Sequence, residues 1–238
     1  MTQPFVRTEM LLGKANMEKL KACRIALFGV GGVGSYAAEA LARTGIGALD
    51  LVDHDTVSLS NLNRQLIATL QTLGLPKVDV MEARLLSICP DIQIQKRPCF
   101  VSEATIGSFD FSLYDYVVDA VDTVTAKIAI IKAAQEAGVP LISSMGCGNR
   151  LDPSRLYITD IYQTHMDPLA KVMRKRCREA NIRELTVLTS AEKPLKPDTA
   201  LLSEEEPGRK KIPPGSVAFV PSAGGLMIAS HVVHSLLL

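Results

Sequence analysis

Arg24-Ile-Ala-Leu-Phe-Gly-Val-Gly-Gly-Val-Gly-Ser35 is the stretch on which the fold turns. Ile25 to Phe28 read as a buried strand, and Gly29, Gly31 and Gly34 then fit the G-x-G-x-x-G turn that opens a helix beneath a phosphate. Glycine is needed because a Cβ would keep phosphate oxygens away from backbone N–H groups, while the helix start presents its positive dipole end to them. Alone, the motif does not say which nucleotide, and it also fits a tight strand-to-helix turn that holds no ligand.

Outward from the turn, Val33 to Arg43 is rich in alanine and leucine and stops near Gly45, which predicts a helix with a glycine at its end. Ala48 to Asp53 predicts a second strand that ends in an acid, roughly 20 residues past the glycines, where this kind of fold places a carboxylate for a ribose. The next segment, running from His54 through Asp55, Ser60, Asn61, Asn63 and Arg64 to Gln65, is dense in amide, hydroxyl and guanidinium groups. A hydride-transfer enzyme has no need of them near the phosphates. An enzyme that breaks the link between α- and β-phosphates needs cations and donors aimed at charge developing there, and Arg64 is placed to supply one. Pro76 and Lys77 then open a helix running to about Ile88, with the lysine close to its N-terminus as a second cation. Each charge taken singly reads as well as a solvated surface group. Taken as a set, they converge on a phosphate site.

Ile92 to Lys96 predicts a third strand, Ser102 to Phe109 a short helix, and Tyr114 to Asp122 a buried strand running into Asp119 and Asp122. The carboxyl ends of strands are where open α/β sheets bind ligands. Asp122 is the better metal candidate, since Mg²⁺ bridges a carboxylate to substrate phosphates; Asp119 reads as a structural acid. Val124 to Ala137 and Pro140 to Ser144 add a helix and a strand.

Composition bounds these readings. The chain has 238 residues, 47% of them hydrophobic, enough for one substantial core. A net charge of +1 points to neither a nucleic-acid nor a membrane-surface protein, so any basic patch is local. Five cysteines with no C-x-x-C pair predict reduced thiols, no zinc ribbon and a cytoplasmic setting. No charged segment followed by an apolar run opens the chain, and Gly224 to Leu238 reads as a packed terminal helix with no stable membrane insertion.

The constellation Gly29-Val-Gly-Gly-Val-Gly34, Asp53-x-Asp55, Ser60-Asn-Leu-Asn-Arg-Gln65, Lys77 and Asp119-x-x-Asp122 resembles the ThiF/MoeB/HesA family, relatives of ubiquitin-activating enzymes that adenylate a carboxylate with ATP. The resemblance covers roughly residues 7 to 144. It implies a Rossmann-like, mostly parallel α/β sheet flanked by helices, and a homodimer with one ATP site per subunit. That site would be built from Gly29, Gly31, Gly32, Gly34, Asp53, Asp55, Ser60, Asn61, Arg64, Gln65, Lys77, Asp122 and Thr123. Arg64, Lys77 and Asp122 would serve the chemistry, with Asp122 on Mg²⁺. Arg7 resembles the family arginine that reaches into the neighbouring subunit's site.

Members that activate a sulfur carrier or ubiquitin-like protein typically carry a cysteine in the crossover loop, expected here at about residues 190–215. This chain has no cysteine between Asn181 and Ser222. Cys147, between two glycines, is expected on an exposed loop and reads as a small filler, because no cation or base is evident to activate it. Ala42 to Gly47, Ser143 to Gly148 with Asp152-Pro153, and Asp167 to Ala170 most resemble the tRNA threonylcarbamoyladenosine dehydratase group. That resemblance implies adenylation of the threonyl carboxylate, after which a nitrogen of the same side chain displaces AMP.

A tRNA substrate requires a phosphate-binding surface. Lys171, Arg174, Lys175, Arg176 and Arg178 lie in one predicted helix, basic on most exposed faces, which also fits an ordinary solvated surface. The chain is read as one adenylating domain over residues 1–238, with an ATP-binding part at 1–150 and a substrate and tRNA extension at 151–238 that continues the sheet. Ser216 to Val220 is expected as a last strand. Activation of a carrier-protein C-terminus, partnership with a sulfur-transfer protein, and a non-catalytic nucleotide-binding scaffold are the other readings.

Overall fold

The computed structural model describes residues 4–198 and 214–238. After helices α1 (Val6–Leu12) and α2 (Lys14–Ala22), the chain enters β1 (Arg24–Phe28), α3 (Gly34–Thr44) and β2 (Ala48–Val52). Helix α4 (Lys77–Ile88), β3 (Gln93–Arg97), β4 (Tyr116–Asp119), α5 (Val124–Glu136) and β5 (Leu141–Ser144) follow. The second half adds β6 (Leu156–Asp160), α6 (Pro168–Glu179), β7 (Thr186–Ser190) and α7 (Phe219–Leu237). One sheet takes all seven strands in the order β3-β2-β1-β4-β5-β7-β6. Every pairing is parallel except that of β6 with β7.

Parallel strands are covered on both faces, and the alternation of β1 shows how. Ile25 and Leu27 enter the core beneath α3 and α7, where Leu41, Ile228 and Val232 are fully buried. Ala26 and Phe28 face the other layer, with Phe109, Phe111 and Ile130. There the Phe28 ring stacks on Phe111 at 5.9 Å and meets the edge of Phe109 at 5.3 Å. Each such side chain contributes about 1.5–3 kcal/mol when buried. Helix α7 crosses α3 at a glycine: a Cβ on Gly225 would stand 2.4 Å from the Val33 carbonyl oxygen. Only glycine lets the two backbones approach so closely.

Helix α7 is the one described helix long and apolar enough to cross a membrane, and 44% of its most apolar window is buried inside the fold. The expected last strand at residues 216–220 is not formed. Phe219 and Val220 instead begin α7, and Pro221 is tolerated because the first turn of a helix needs no N–H from it. The short helix expected at residues 102–109 shrinks to a single 3₁₀ turn, Ile106–Ser108. Strands β6 and β7 continue the sheet as expected of the extension, although their short runs carry little periodicity. Most of the crossover loop expected at about 190–215 lies outside the described residues.

Candidate functional site

Strand order reverses between β1 and β4, and the carboxyl ends of these two strands form the crevice where such sheets bind ligands. Gly29 leaves β1 at φ 92°, and its N–H donates to the Val52 carbonyl at 2.7 Å. A Cβ on Gly34 would fall 1.8 Å from the Gly29 carbonyl oxygen, so this glycine closes the turn itself. Gly31 differs. A Cβ there would meet nothing nearer than Gln65 Nε2 at 3.9 Å, leaving open space above the turn. Gln65 Oε1 is buried beside it and has no partner. An unpartnered buried amide next to an open glycine cradle fits a ligand rich in polar atoms, as a nucleotide is. Gly32 is bounded by the Pro221 ring at 3.3 Å and Arg64 Cγ at 3.5 Å.

The remaining predicted groups gather around this turn. Asp53 Oδ2 accepts the Val30 N–H at 2.7 Å and Oδ1 accepts the Asp55 N–H at 2.9 Å, so the carboxylate ties the end of β2 to the glycine turn. Asp55 holds the Lys77 ammonium at 2.7 Å, and that lysine is buried. His54 Nε2 lies 3.2 Å from the other Asp55 oxygen. Asn61 caps its own 3₁₀ turn by accepting from the Ser58 N–H at 3.1 Å. Arg64 donates to the Ser60 carbonyl at 2.8 Å and to Asn63 Oδ1 at 2.9 Å. Burial lowers its pKa, because removing water disfavours the charged guanidinium. Asp122 is exposed beyond β4 and accepts from the Thr123 hydroxyl at 3.2 Å. Its carboxylate is a hard oxygen donor of the kind Mg²⁺ prefers.

Two groups of expected residues lie elsewhere. Arg7 lines a shallow groove with Leu11, Leu12, Thr44, Leu226 and His234, toward the far ends of α3 and α7 from the glycine turn. It is not brought into the site of its own chain. On α6, Ala170, Met173 and Cys177 are buried, and Lys171, Lys175, Arg176 and Arg178 face outward. Lys175 and Arg176 share Glu179, and Arg178 lies over the Tyr162 ring at 5.3 Å. Arg174 departs from the expected basic face: it is half-buried, and one guanidinium nitrogen bonds the Thr164 carbonyl and hydroxyl.

Cys147 is not on an exposed loop. It is half-buried beneath α7, with its thiol 3.4 Å from where a Gly224 Cβ would stand. Burial pushes its pKa up to about 11, which keeps the thiol protonated and a poor nucleophile.

Sequence reading missed two buried charge pairs. Asp119 and Lys127 are both fully buried and paired at 3.1 Å, which makes Asp119 structural as expected but through a partner not foreseen. Arg150 and Asp167 pair at 3.5 Å; Asp167 also accepts from Gly146 N–H and the Thr189 hydroxyl while capping α6. The available signal was a single lysine in the apolar run Val124-Thr-Ala-Lys127-Ile-Ala-Ile-Ile131.

A profile of the ThiF family matches residues 5–238. The tRNA threonylcarbamoyladenosine dehydratase of Bacillus subtilis (strain 168) is 46% identical over 244 residues, spanning 100% of this chain and 96% of that protein. Two crystal structures of the Escherichia coli enzyme TcdA, one in complex with AMP and one with ATP, each superpose with a TM-score of 0.87 at 32% identity. Each covers 98% of this chain, and 94% and 93% of those chains respectively are matched.

Proposed function

Because this chain belongs to the ThiF family, we propose that it is an ATP-dependent tRNA threonylcarbamoyladenosine dehydratase. The observation that carries the reading is the assembly over one crevice of the open Gly31 cradle, the unpartnered Gln65 amide, Arg64, Lys77 and Asp122. An oxygen of the threonyl carboxylate attacks the α-phosphorus of ATP, and the bond to the pyrophosphate oxygen breaks. A nitrogen of the same modified side chain then attacks the activated carbonyl, AMP leaves with the former carboxylate oxygen, and the nitrogen's proton passes to solvent. The net change is the loss of the elements of water from the nucleoside.

Arg64 and Lys77 stabilise charge that develops on the phosphate oxygens, acting in a partly desolvated crevice where cations are worth more than in water. Asp55 fixes the Lys77 ammonium, and Asp53 fixes the turn on which the phosphates rest. Asp122 would hold Mg²⁺, which neutralises phosphate charge when bound. Lys171, Lys175, Arg176 and Arg178 supply a phosphate-binding face for tRNA. Residues 1–238 form one adenylating domain, supported by the single seven-stranded sheet. We place the protein in the cytoplasm.

The active form is a homodimer in which Arg7 serves the neighbouring subunit. Its position in a groove away from its own glycine turn, on a helix α1 with no buried residue, supports this assignment. Incubating the protein with ATP, Mg²⁺ and tRNA carrying threonylcarbamoyladenosine tests the reading. Nucleoside mass spectra are expected to show loss of one water together with release of AMP. An unchanged nucleoside, with pyrophosphate exchange stimulated only by a diglycine-ended carrier protein, would overturn it in favour of carrier activation.

A further inference from the structure

Burying the charge of Lys127 is costly. It is fully buried and stands in the first turn of α5, the end at which backbone N–H groups already present positive charge. Its ammonium donates to Asp119 Oδ2 at 3.1 Å, Ser143 Oγ at 3.2 Å and the Ser144 carbonyl at 2.8 Å. Desolvation largely offsets the attraction in such a pair, so apolar residues of similar size would hold these elements at least as well. Stability therefore does not account for it.

What an apolar pair cannot supply is direction. The three bonds join the last residues of β4 to the last residues of β5. Asp119 also accepts from the Ser143 hydroxyl at 2.6 Å and from Val121 N–H at 3.2 Å, inside the loop that carries Asp122. That loop lies directly against the glycine turn: the Ala120 carbonyl oxygen is 2.7 Å from where a Gly29 Cβ would stand. On the β5 side, the Ser144 carbonyl precedes Met145 and Gly146, and Gly146 N–H is held by Asp167 at 3.1 Å.

We propose that Lys127 is a positioning residue for adenylation: its ammonium fixes the loop from Ala120 to Asp122 against the glycine turn, so that the Asp122 carboxylate is presented to the nucleotide in one place. The proposal rests on the adenylation reading above. Lys127 touches neither substrate nor phosphate and acts through Asp119.

The test uses the full chain carrying Lys127→Met with Asp119→Asn, which removes both charges and so spares the fold, and separately Lys127→Arg, which keeps the charge. Calorimetry measures ATP affinity in EDTA and with Mg²⁺, and pyrophosphate exchange gives kcat and KM. The double variant is expected to keep its melting temperature and its ATP affinity in EDTA. It loses about 10- to 100-fold in the tightening that Mg²⁺ confers and in kcat, and Lys127→Arg recovers part of both. A double variant with wild-type kcat and Mg²⁺ dependence overturns the proposal, as does an equal loss of affinity in EDTA, which marks a general packing defect. Failure of the wild-type protein to bind ATP overturns the adenylation reading, and the proposal with it, in the control alone.

Discussion

Gly31 and Gly34 lie on the same turn and do opposite work. At Gly34 the space for a Cβ is filled by the chain's own Gly29 carbonyl oxygen, 1.8 Å away. At Gly31 it is open but for Gln65 Nε2. Gly34→Ala is therefore expected to destabilise the fold by about 3 kcal/mol. Gly31→Ala should leave stability within about 0.5 kcal/mol and weaken ATP binding, because the methyl intrudes only on the ligand. Thermal melting with ATP titration separates them; equal loss of stability in both would refute the assignment of the cradle. These glycines are legible in sequence because their spacing encodes a local turn. Lys127 is not, because a buried charge depends on partners contributed by other segments, here Asp119 and Ser143. Arg174 shows the same limit: composition places it on a basic face, and only the fold reveals that Thr164 draws it inward.

Among the elements, α6 carries the substrate prediction. Its apolar seam of Ala170, Met173 and Cys177 anchors it, leaving Lys171, Arg176 and Arg178 to solvent. Replacing those three with alanine should weaken tRNA binding while leaving ATP affinity unchanged. The slope of log affinity against log salt should fall by about 0.7–0.9 for each phosphate that is no longer neutralised. An unchanged slope in a filter-binding series would refute a role for this face. Helices and the first-half strands are readable because their apolar runs are long or their glycine and proline boundaries are sharp. Strands β6 and β7 are not, since five residues beside a strongly basic helix carry too little pattern. The start of α7 departs from expectation for a related reason: Ser216 to Val220 looks like a strand until α3 is there to pack against.

At the scale of the whole molecule, the groove lined by Arg7 is where the proposed dimer is open to test. If each subunit's Arg7 completes its neighbour's site, Arg7→Ala and Arg64→Ala chains should each be inactive alone. Mixed and allowed to exchange subunits, they should regain roughly a quarter of the wild-type sites, because half the dimers are mixed and each has one intact site. Failure to recover any pyrophosphate exchange, with subunit exchange verified by mass, would show that Arg7 does not act across the dimer.

Helix α7 supplies Val220, Ile228, Val232 and Val233 to the same core as Leu20, Ile25 and Leu41. A ribosome makes α7 after every other described element, so the apolar side of β1 and α3 that it covers stays open until α7 emerges. The nascent chain must wait for α7 before this face can close, and delayed closure of distant contacts invites aggregation. Premature termination before Phe219 therefore costs more than a missing helix: it leaves the glycine-turn scaffold with an open apolar flank, a substrate for chaperones and proteases.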